Sequence, residues 1–457
     1  MVVDSASMDW FSCLEGSACR ALVRSMGTAA AALFIGFAAA CSAPVHGVRV
    51  VLITLDTLRY DAFAGDCGPS ALPRTSEWAC RATSFTRAYS ASNVTQPTLA
   101  SLFTALQPWE HGVIRNGQVL PSKFETVTEV LSAAGFRTGA VVASFPLQKQ
   151  FGFAQGFDTY REVFRLELVK GLQRWEGAEV PAGAFYSLAD DVTEEALSLL
   201  DELGGDRQFL WFHFFAAHDP YGDTIGQPLA LTSLQVVSRT GGPLFDAALL
   251  EAIRLYHADL ASLDTALARL LERIDRDAER FETHIVLTAD HGESFGEDGQ
   301  VGHGYSLGPQ EIRVPLVIAS PRFRAGVRAD VVGSIDVGPT LLSLAGAVGD
   351  VGHGRDLTLL APDGGGVAFG MQLSPEPDAR QAIGREHFFA AQREGVYAGT
   401  SDGLKRVDGD PDDSPDAHMR RLRDMFGRFE SAARQNSGEQ LRDQETLEAL
   451  EALGYVR

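Results

Sequence analysis

Cysteine is scarce in this chain, five in 457 residues. No two stand in the C-x-x-C spacing of zinc sites and dithiol redox centres, so neither chemistry is expected. Cationic charge is also in deficit: 39 Lys and Arg face 60 Asp and Glu, for a net charge of −21. A field of that sign repels nucleic acid and anionic membrane surfaces. An anionic substrate therefore has to be held by local groups, such as a metal ion. No internal repeat and no long low-complexity tract occurs, which sets aside solenoid and scaffold architectures. What is present is 45% hydrophobic content, enough for one large α/β core and a smaller second domain.

Near the N-terminus, Met26 to Ala40 is apolar, preceded by Arg20 and Arg24 and followed by Cys41-Ser42. About fifteen residues fall short of the roughly twenty of a membrane span and match the layout of a secretory signal. Ala38, Ala39 and Ala40 before Cys41 resemble a lipoprotein box, with Ala38 where Leu is usual. The stretch before Met26 is long and carries Asp4, Asp9 and Glu15, as an upstream translation start would produce. Residues 1–45 are thus expected to be a signal, a lipoprotein-type leader or an uncleaved anchor, which places the protein in the cell envelope. Cys13 and Cys19 precede this run, leaving Cys67 and Cys80. In an oxidising compartment these two can close a short loop as a disulfide worth on the order of 3 kcal/mol, or stay as buried thiols.

Val48 to Leu55, VRVVLITL, reads as a strand buried on both faces of a parallel sheet. Asp56 ends it, at the carboxyl end where open α/β sheets build ligand sites; capping the next turn is the alternative. Ser92 to Thr104, SNVTQPTLASLFT, places Thr95 two residues before Pro97, at the start of a helix-patterned run. A helix N-terminus gathers anions through its free N–H groups and dipole, although threonine is also an ordinary N-cap. Gln107 to Leu120 is a Gly-punctuated loop with His111, Arg115 and Asn116, expected to run over the site. Phe124 to Ala134 reads as a helix and Arg137 to Ser144 as a strand. Ala189 to Leu203 is helical by spacing. Gln208 to Ala217 is a buried strand that holds His213, read as a core histidine, and leads to His218.

Leu244 to Arg276 has helical periodicity, with Tyr256, Leu260, Leu263, Leu267 and Leu270 on one face, read as packing. In Thr283 to Gly304, a β-branched strand ends in Asp290-His291-Gly292, and His303 stands between two glycines twelve residues on. Adjacent Asp and His can offer one oxygen and one nitrogen donor to the same space, and the glycines let backbone approach a ligand closely; a polar turn is the alternative. Val314 to Ser320 is a further strand, and a helix follows from Asp336 to Ala345. Beyond about residue 365, the segments Val367 to Leu373, His387 to Gln392 and Gly395 to Thr400 suggest a small antiparallel sheet. Val407 to Asp416 reads as an acidic surface loop, and two polar helices close the chain.

Taken together, LITLDTLRYD, SNVTQPTLASLFTALQPWEHGV, HFFAAHDPY, LTADHGESFGEDGQVGHG and SIDVGPTLLSLAG resemble, in order and spacing, the sulfatase branch of the alkaline phosphatase superfamily. The likeness runs from Val48 to Arg457, including the closing ALGYVR. It implies an α/β fold: a central, mostly parallel sheet sandwiched by helices, with the site at its carboxyl edge. The catalytic domain would be 46–365, and 366–457 a smaller C-terminal antiparallel sheet subdomain with a helical tail. It also implies Asp56, Asp290 and His291 as metal ligands, Thr95 as nucleophile and further metal ligand, and His218 and His303 as contacts to the anionic group or leaving oxygen.

Three departures qualify the likeness. Sulfatases carry a Cys or Ser at the Thr95 position, convert it to formylglycine and steady it with an Arg that is here Leu99; threonine is not a substrate for that conversion. Asp56 is followed by Thr57, not by a second aspartate. No Asp-x-x-x-His of the two-metal members occurs between Gly152 and Arg280. One divalent ion is therefore expected, zinc or manganese before magnesium or calcium, given the mixed oxygen and nitrogen donors. The expected function is hydrolysis of a phosphoester, a phosphodiester before a sulfate ester, on a surface glycan or lipid. A phosphoglycerol or phosphoethanolamine-type transferase and a catalytically inactive binding protein are the alternatives. Specificity would lie in loops such as Leu166 to Phe185 and Gly222 to Gly242.

Overall fold

The computed structural model describes residues 47–167, 174–175, 178–179, 184–226, 229, 243–297, 301–361, 366–374, 385–392, 395–399, 404–409 and 416–435. Residues 1–45 with Cys41, expected as a signal or anchor segment, much of the two loops expected to set specificity, acidic residues 410–415 and the final polar segment lie outside them. No helix among the described residues is long and apolar enough to cross a membrane.

The strands of the large sheet are β1 (Gly47–Leu55), β2 (Thr83–Tyr89), β3 (Arg137–Val142), β4 (Thr159–Glu162), β5 (Arg207–Phe214), β6 (Phe281–Ala289), β7 (Arg313–Ala319) and β8 (Gly326–Gly333). They lie in the order β8-β2-β7-β6-β1-β5-β3-β4. Only β7 runs antiparallel to its neighbours. The apolar, β-branched β1 is buried from Arg49 to Leu55, as a central parallel strand covered on both faces must be. Beside it, β6 pairs in parallel with Leu55 opposite Ala289, and β5 pairs with Thr54 opposite His213. These registers bring Asp56 and Asp290, each the next residue after its strand, to the same edge.

The flanking helices are α1 (Pro73–Ala79), α2 (Thr95–Thr104), α3 (Val127–Ala133), α4 (Ala189–Glu202), α5 (Pro243–Asp275) and α6 (Val337–Ala345). On α5 the stripe from Tyr256 to Leu270 is buried, each side chain contributing roughly 2 kcal/mol. Helix α3 starts later than its periodicity suggests. Thr126 accepts from the Glu129 amide, and the Glu129 carboxylate accepts from the Thr126 amide, a capping box that begins the helix at Val127. Cys67 and Cys80 are joined as a disulfide.

Strands β9 (Ala368–Ser374), β10 (Arg385–Gln392), β11 (Gly395–Gly399) and β12 (Leu404–Gly409) form an antiparallel sheet, and α7 spans Asp416–Gln435. Val407 and Asp408 thus belong to a strand rather than to the expected loop. Trp109, Phe388 and Phe426 pack in one apolar cluster, tying this sheet and α7 to the segment after α2. The Met371 amide donates to the Ala91 carbonyl (2.9 Å) and Gln372 Nε2 to the Gly304 carbonyl (3.0 Å). The small sheet therefore braces the two segments that carry Thr95 and His303.

Candidate active site

Asp56 and Asp290, set side by side by the β1–β6 register, are both fully buried, as is His291. Their outer atoms converge: His291 Nε2 lies 3.8 Å from Asp56 Oδ1 and 3.6 Å from Asp290 Oδ2. One ligand atom from each of the three lies within 4.8 Å of the others. The opposite atoms are occupied. Asp290 Oδ1 accepts from the amides of Thr57 (3.2 Å) and His291 (2.8 Å), and Asp56 Oδ2 accepts from Ser144 Oγ (3.2 Å). His291 Nδ1–H donates to the Gly292 carbonyl (2.9 Å), which leaves a lone pair on Nε2.

Asp56 Oδ1, Asp290 Oδ2 and His291 Nε2 have no hydrogen-bond partner among the described residues, although unpaired polar atoms in a dry interior are costly. Burial alone would raise the Asp56 pKa, but His218, His213 and His291 hold it well below the usual carboxylate range. Burial, then the charge of Asp56, pushes Asp290 up to about 7. Burial lowers the His291 pKa against the opposing pull of Asp290 and Asp56, favouring the neutral ring. Two crowded carboxylates and a neutral imidazole fit a divalent cation, which would satisfy all three atoms at once.

Thr95 is the first residue of α2, one position inside the N-cap Val94. An N-capping threonine would spend its hydroxyl on a first-turn amide. Here the Gln96 amide donates instead to Asn116 Oδ1 (2.8 Å), and the buried Thr95 Oγ1 has no hydrogen-bond partner among the described residues. The helix is anchored on both sides. Gln96 Nε2 donates to the Pro146 carbonyl (2.6 Å), two residues beyond Ser144. On the other side, a Cβ on Gly304 would stand 3.3 Å from Val94, so the backbone next to His303 closes on the start of α2.

Glu311 holds that closure. Its Oε2 accepts from Asn93 Nδ2 (2.8 Å) and from the amides of Gly304 (3.0 Å) and Tyr305 (3.3 Å). Gly292 has to be glycine, because a Cβ there would lie 2.0 Å from the Gln310 carbonyl oxygen. His303 and His218 complete the cluster, with ring centroids 5.0 Å apart and His303 4.4 Å from His291. His218 Nδ1 donates to the Asp219 carbonyl (2.7 Å). Burial lowers the His218 pKa, but Asp56, Asp219 and Glu293 outweigh it and raise the group. Burial, then His218, pushes His303 down to about 4.

Five of the six residues expected at the site, Asp56, His218, Asp290, His291 and His303, thus gather at one end of the sheet, and the helix start that carries Thr95 packs against the turn beyond His303. Three others were not anticipated. His213, expected as a core histidine, is fully buried but places Nε2 3.5 Å from Asp56 Oδ2, with Nδ1 2.8 Å from Thr54 Oγ1. Ser144 contacts the same carboxylate. Glu293, fully buried, accepts from Tyr221 Oη (2.8 Å) and His303 Nδ1 (3.1 Å). Only Glu293 had a local signal, as the residue after Asp-His-Gly. Conversely, His111 belongs to the core: Ser101 Oγ lies 2.9 Å from Nε2, and the Val113 amide donates to Nδ1 (3.1 Å).

Residues 49–347 match the family model described as Sulfatase. An ulvan-active sulfatase of Formosa agariphila is 26% identical over 358 residues, 73% of this chain and 67% of the relative. Among solved structures, a 2-O GAG sulfatase superposes with a TM-score of 0.66 at 16% identity, over 87% of this chain and 95% of that one. The phosphonate monoester hydrolase of Silicibacter pomeroyi gives 0.62 at 19% identity, over 86% and 97%. At these identities the structural matches speak to the fold.

Proposed function

The chain belongs to the sulfatase family of ester hydrolases, within the alkaline phosphatase superfamily, and on that premise we propose that it cleaves a phosphodiester through Thr95. The observation that carries this reading is the Thr95 hydroxyl, buried at the start of α2, unused as a cap and without a hydrogen-bond partner among the described residues. Asp56, Asp290 and His291 would hold one divalent ion, zinc or manganese, with Thr95 beside them. That ion supplies positive charge that lowers a hydroxyl pKa and offsets charge growing on the ester's non-bridging oxygens. Thr95 Oγ attacks phosphorus in line, its proton passes to solvent, and the bond to the departing oxygen breaks. Water then resolves the ester formed on Thr95.

A phosphoester is preferred to a sulfate ester because the formylglycine route is closed. Threonine cannot enter it, and Leu99, which stands where the steadying arginine would be, is fully buried in the apolar core. The name of the ulvan-active relative favours a sulfate ester on a glycan as the second reading. Matched nitrophenyl phosphodiester, phosphomonoester and sulfate substrates separate the two, and added acceptor alcohols expose a transferase. Mass spectrometry of acid-quenched enzyme should find a phosphate on Thr95. Full turnover by Thr95→Ala would end the nucleophile assignment. We place 46–365 as the catalytic domain and 366–457 as its subdomain, held in the envelope by the N-terminal segment or lipid on Cys41.

A further inference from the structure

Glu293 is an enclosed acidic side chain that this chemistry leaves without a task. It is fully buried, and each of its oxygens has one side-chain partner: Tyr221 Oη donates to Oε2 (2.8 Å), and His303 Nδ1 meets Oε1 (3.1 Å). Tyr221 is itself buried against Tyr256 and Phe295, and Arg59 Nη1 donates to the Glu293 carbonyl (2.9 Å). The carboxylate is therefore aimed from both its own backbone and its far oxygen. With Oε1 accepting from Nδ1–H, Nε2 is the nitrogen of His303 left for a substrate, and it has no hydrogen-bond partner among the described residues. A carboxylate behind an imidazole fixes its tautomer and orientation and stabilises the imidazolium.

We propose that Glu293 is a positioning residue that makes His303 the proton donor to the departing ester oxygen. The inference rests on the function proposed above. As the bond from phosphorus (or sulfur) to the departing oxygen breaks, its electron pair goes to that oxygen. His303, made imidazolium by the bound anionic substrate beside it, gives up its Nε2–H proton to that oxygen, so the product leaves as an alcohol. Neutral His303 keeps its Nδ1–H on Glu293 and recovers a proton from the water that resolves the ester on Thr95. His218 turns its Nδ1 to the Asp219 carbonyl at 2.7 Å, with the Asp219 carboxylate 3.3 Å away, and is assigned to the substrate's anionic group.

The test compares leaving groups on the full-length, metal-loaded protein, using whichever ester class the wild type turns over. A nitrophenolate leaves without a proton; an alkoxide does not. Glu293→Gln should lower kcat about 100-fold on an alkyl leaving group but less than about tenfold on nitrophenolate, with KM nearly unchanged. In a His303→Ala background it should cost nothing further. Equal losses on both leaving groups, or an additive double variant, would overturn the proposal, because a merely structural carboxylate affects all substrates alike. Should Glu293→Gln fail to fold, Tyr221→Phe should show the same leaving-group bias at smaller size, and equal losses there overturn it too. Independently of turnover, a downfield Nδ1–H proton resonance that is lost in His303→Ala is expected in the wild type. Its absence overturns the proposal even if no ester is cleaved, whereas turnover by Thr95→Ala bears only on the nucleophile.

Discussion

The two ends of β1 each bury a charge, and they treat it in opposite ways. At the entry end, Arg49 is 1% exposed, yet its guanidinium is spoken for: Nε donates to Gln208 Oε1 (2.8 Å), Nη1 pairs with Asp277 (2.6 Å), and Phe281 lies 4.0 Å beneath it. At the exit end, Asp56 is equally buried but keeps Oδ1 without a partner, beside a second carboxylate in the same condition. A buried charge that serves the fold is closed by its neighbours. One placed where a cation could be held keeps its outer oxygen unpaired among the described residues. Two of the buried histidines repeat the contrast, His111 using both ring nitrogens and His291 only one among the described residues.

The sharpest way to break this comparison is to truncate the open end. Asp56→Ala should abolish divalent-ion binding by calorimetry and cost at least about a thousandfold in turnover, while the metal-free protein melts no lower than wild type. A large drop in metal-free stability would make Asp56 a structural charge. At the closed end, Arg49→Met should cost about 3 kcal/mol of unfolding free energy, measured by denaturant titration. Ion affinity and kcat of the folded fraction should stay put.

The histidines separate next. Burial holds His111 at about 3 against an ordinary 6.5. In that window the unfolded chain binds a proton that the folded one refuses. The stability His111 confers is thus present above about pH 6.5 and lost as pH falls toward 3. The gap between wild type and His111→Gln should close by up to about 1.4 kcal/mol per pH unit in that range; a constant gap would refute burial of the neutral ring. The smallest effect is a reversal. Without metal, Asp290→Asn should melt a few degrees higher than wild type, by removing one of two facing carboxylates. With saturating zinc or manganese, wild type should melt higher, since only it gains full stabilisation from the ion.

Much of this was legible locally. The apolar run of β1 stopping at Asp56, the run of β6 stopping at Asp290-His291, and the helix announced by Pro97 all declare both an element and its end. For that reason the α/β class and the positions of Asp56, Thr95, Asp290 and His291 at element ends could be read locally, whereas their roles came from the family resemblance. The capping box at Thr126 was also written in the chain, but periodicity alone carried α3 back to Phe124. Less was legible where partners lie far apart. His213 sits in an apolar strand, and nothing near it in sequence tells that β5 pairs beside β1 and brings it 3.5 Å from Asp56. The Val407 strand edge likewise depends on pairing with β11 rather than on its acidic composition.

By itself, then, the sequence determined which residues end the central strands, which hydroxyl starts α2, and hence the family and the chemistry to look for. Those are short-range matters, decided by backbone propensity and side-chain type within a few residues. The tertiary structure alone decided which buried polar atoms are satisfied. Asn116 caps α2 in place of Thr95, Glu311 ties Asn93 to the turn beyond His303, and Glu293 backs His303. Each depends on hydrogen bonds of 2.8 to 3.3 Å, across segments that only the folded sheet brings together. A hydrogen bond is made or lost over a few tenths of an ångström, and no pattern along the chain encodes position that finely.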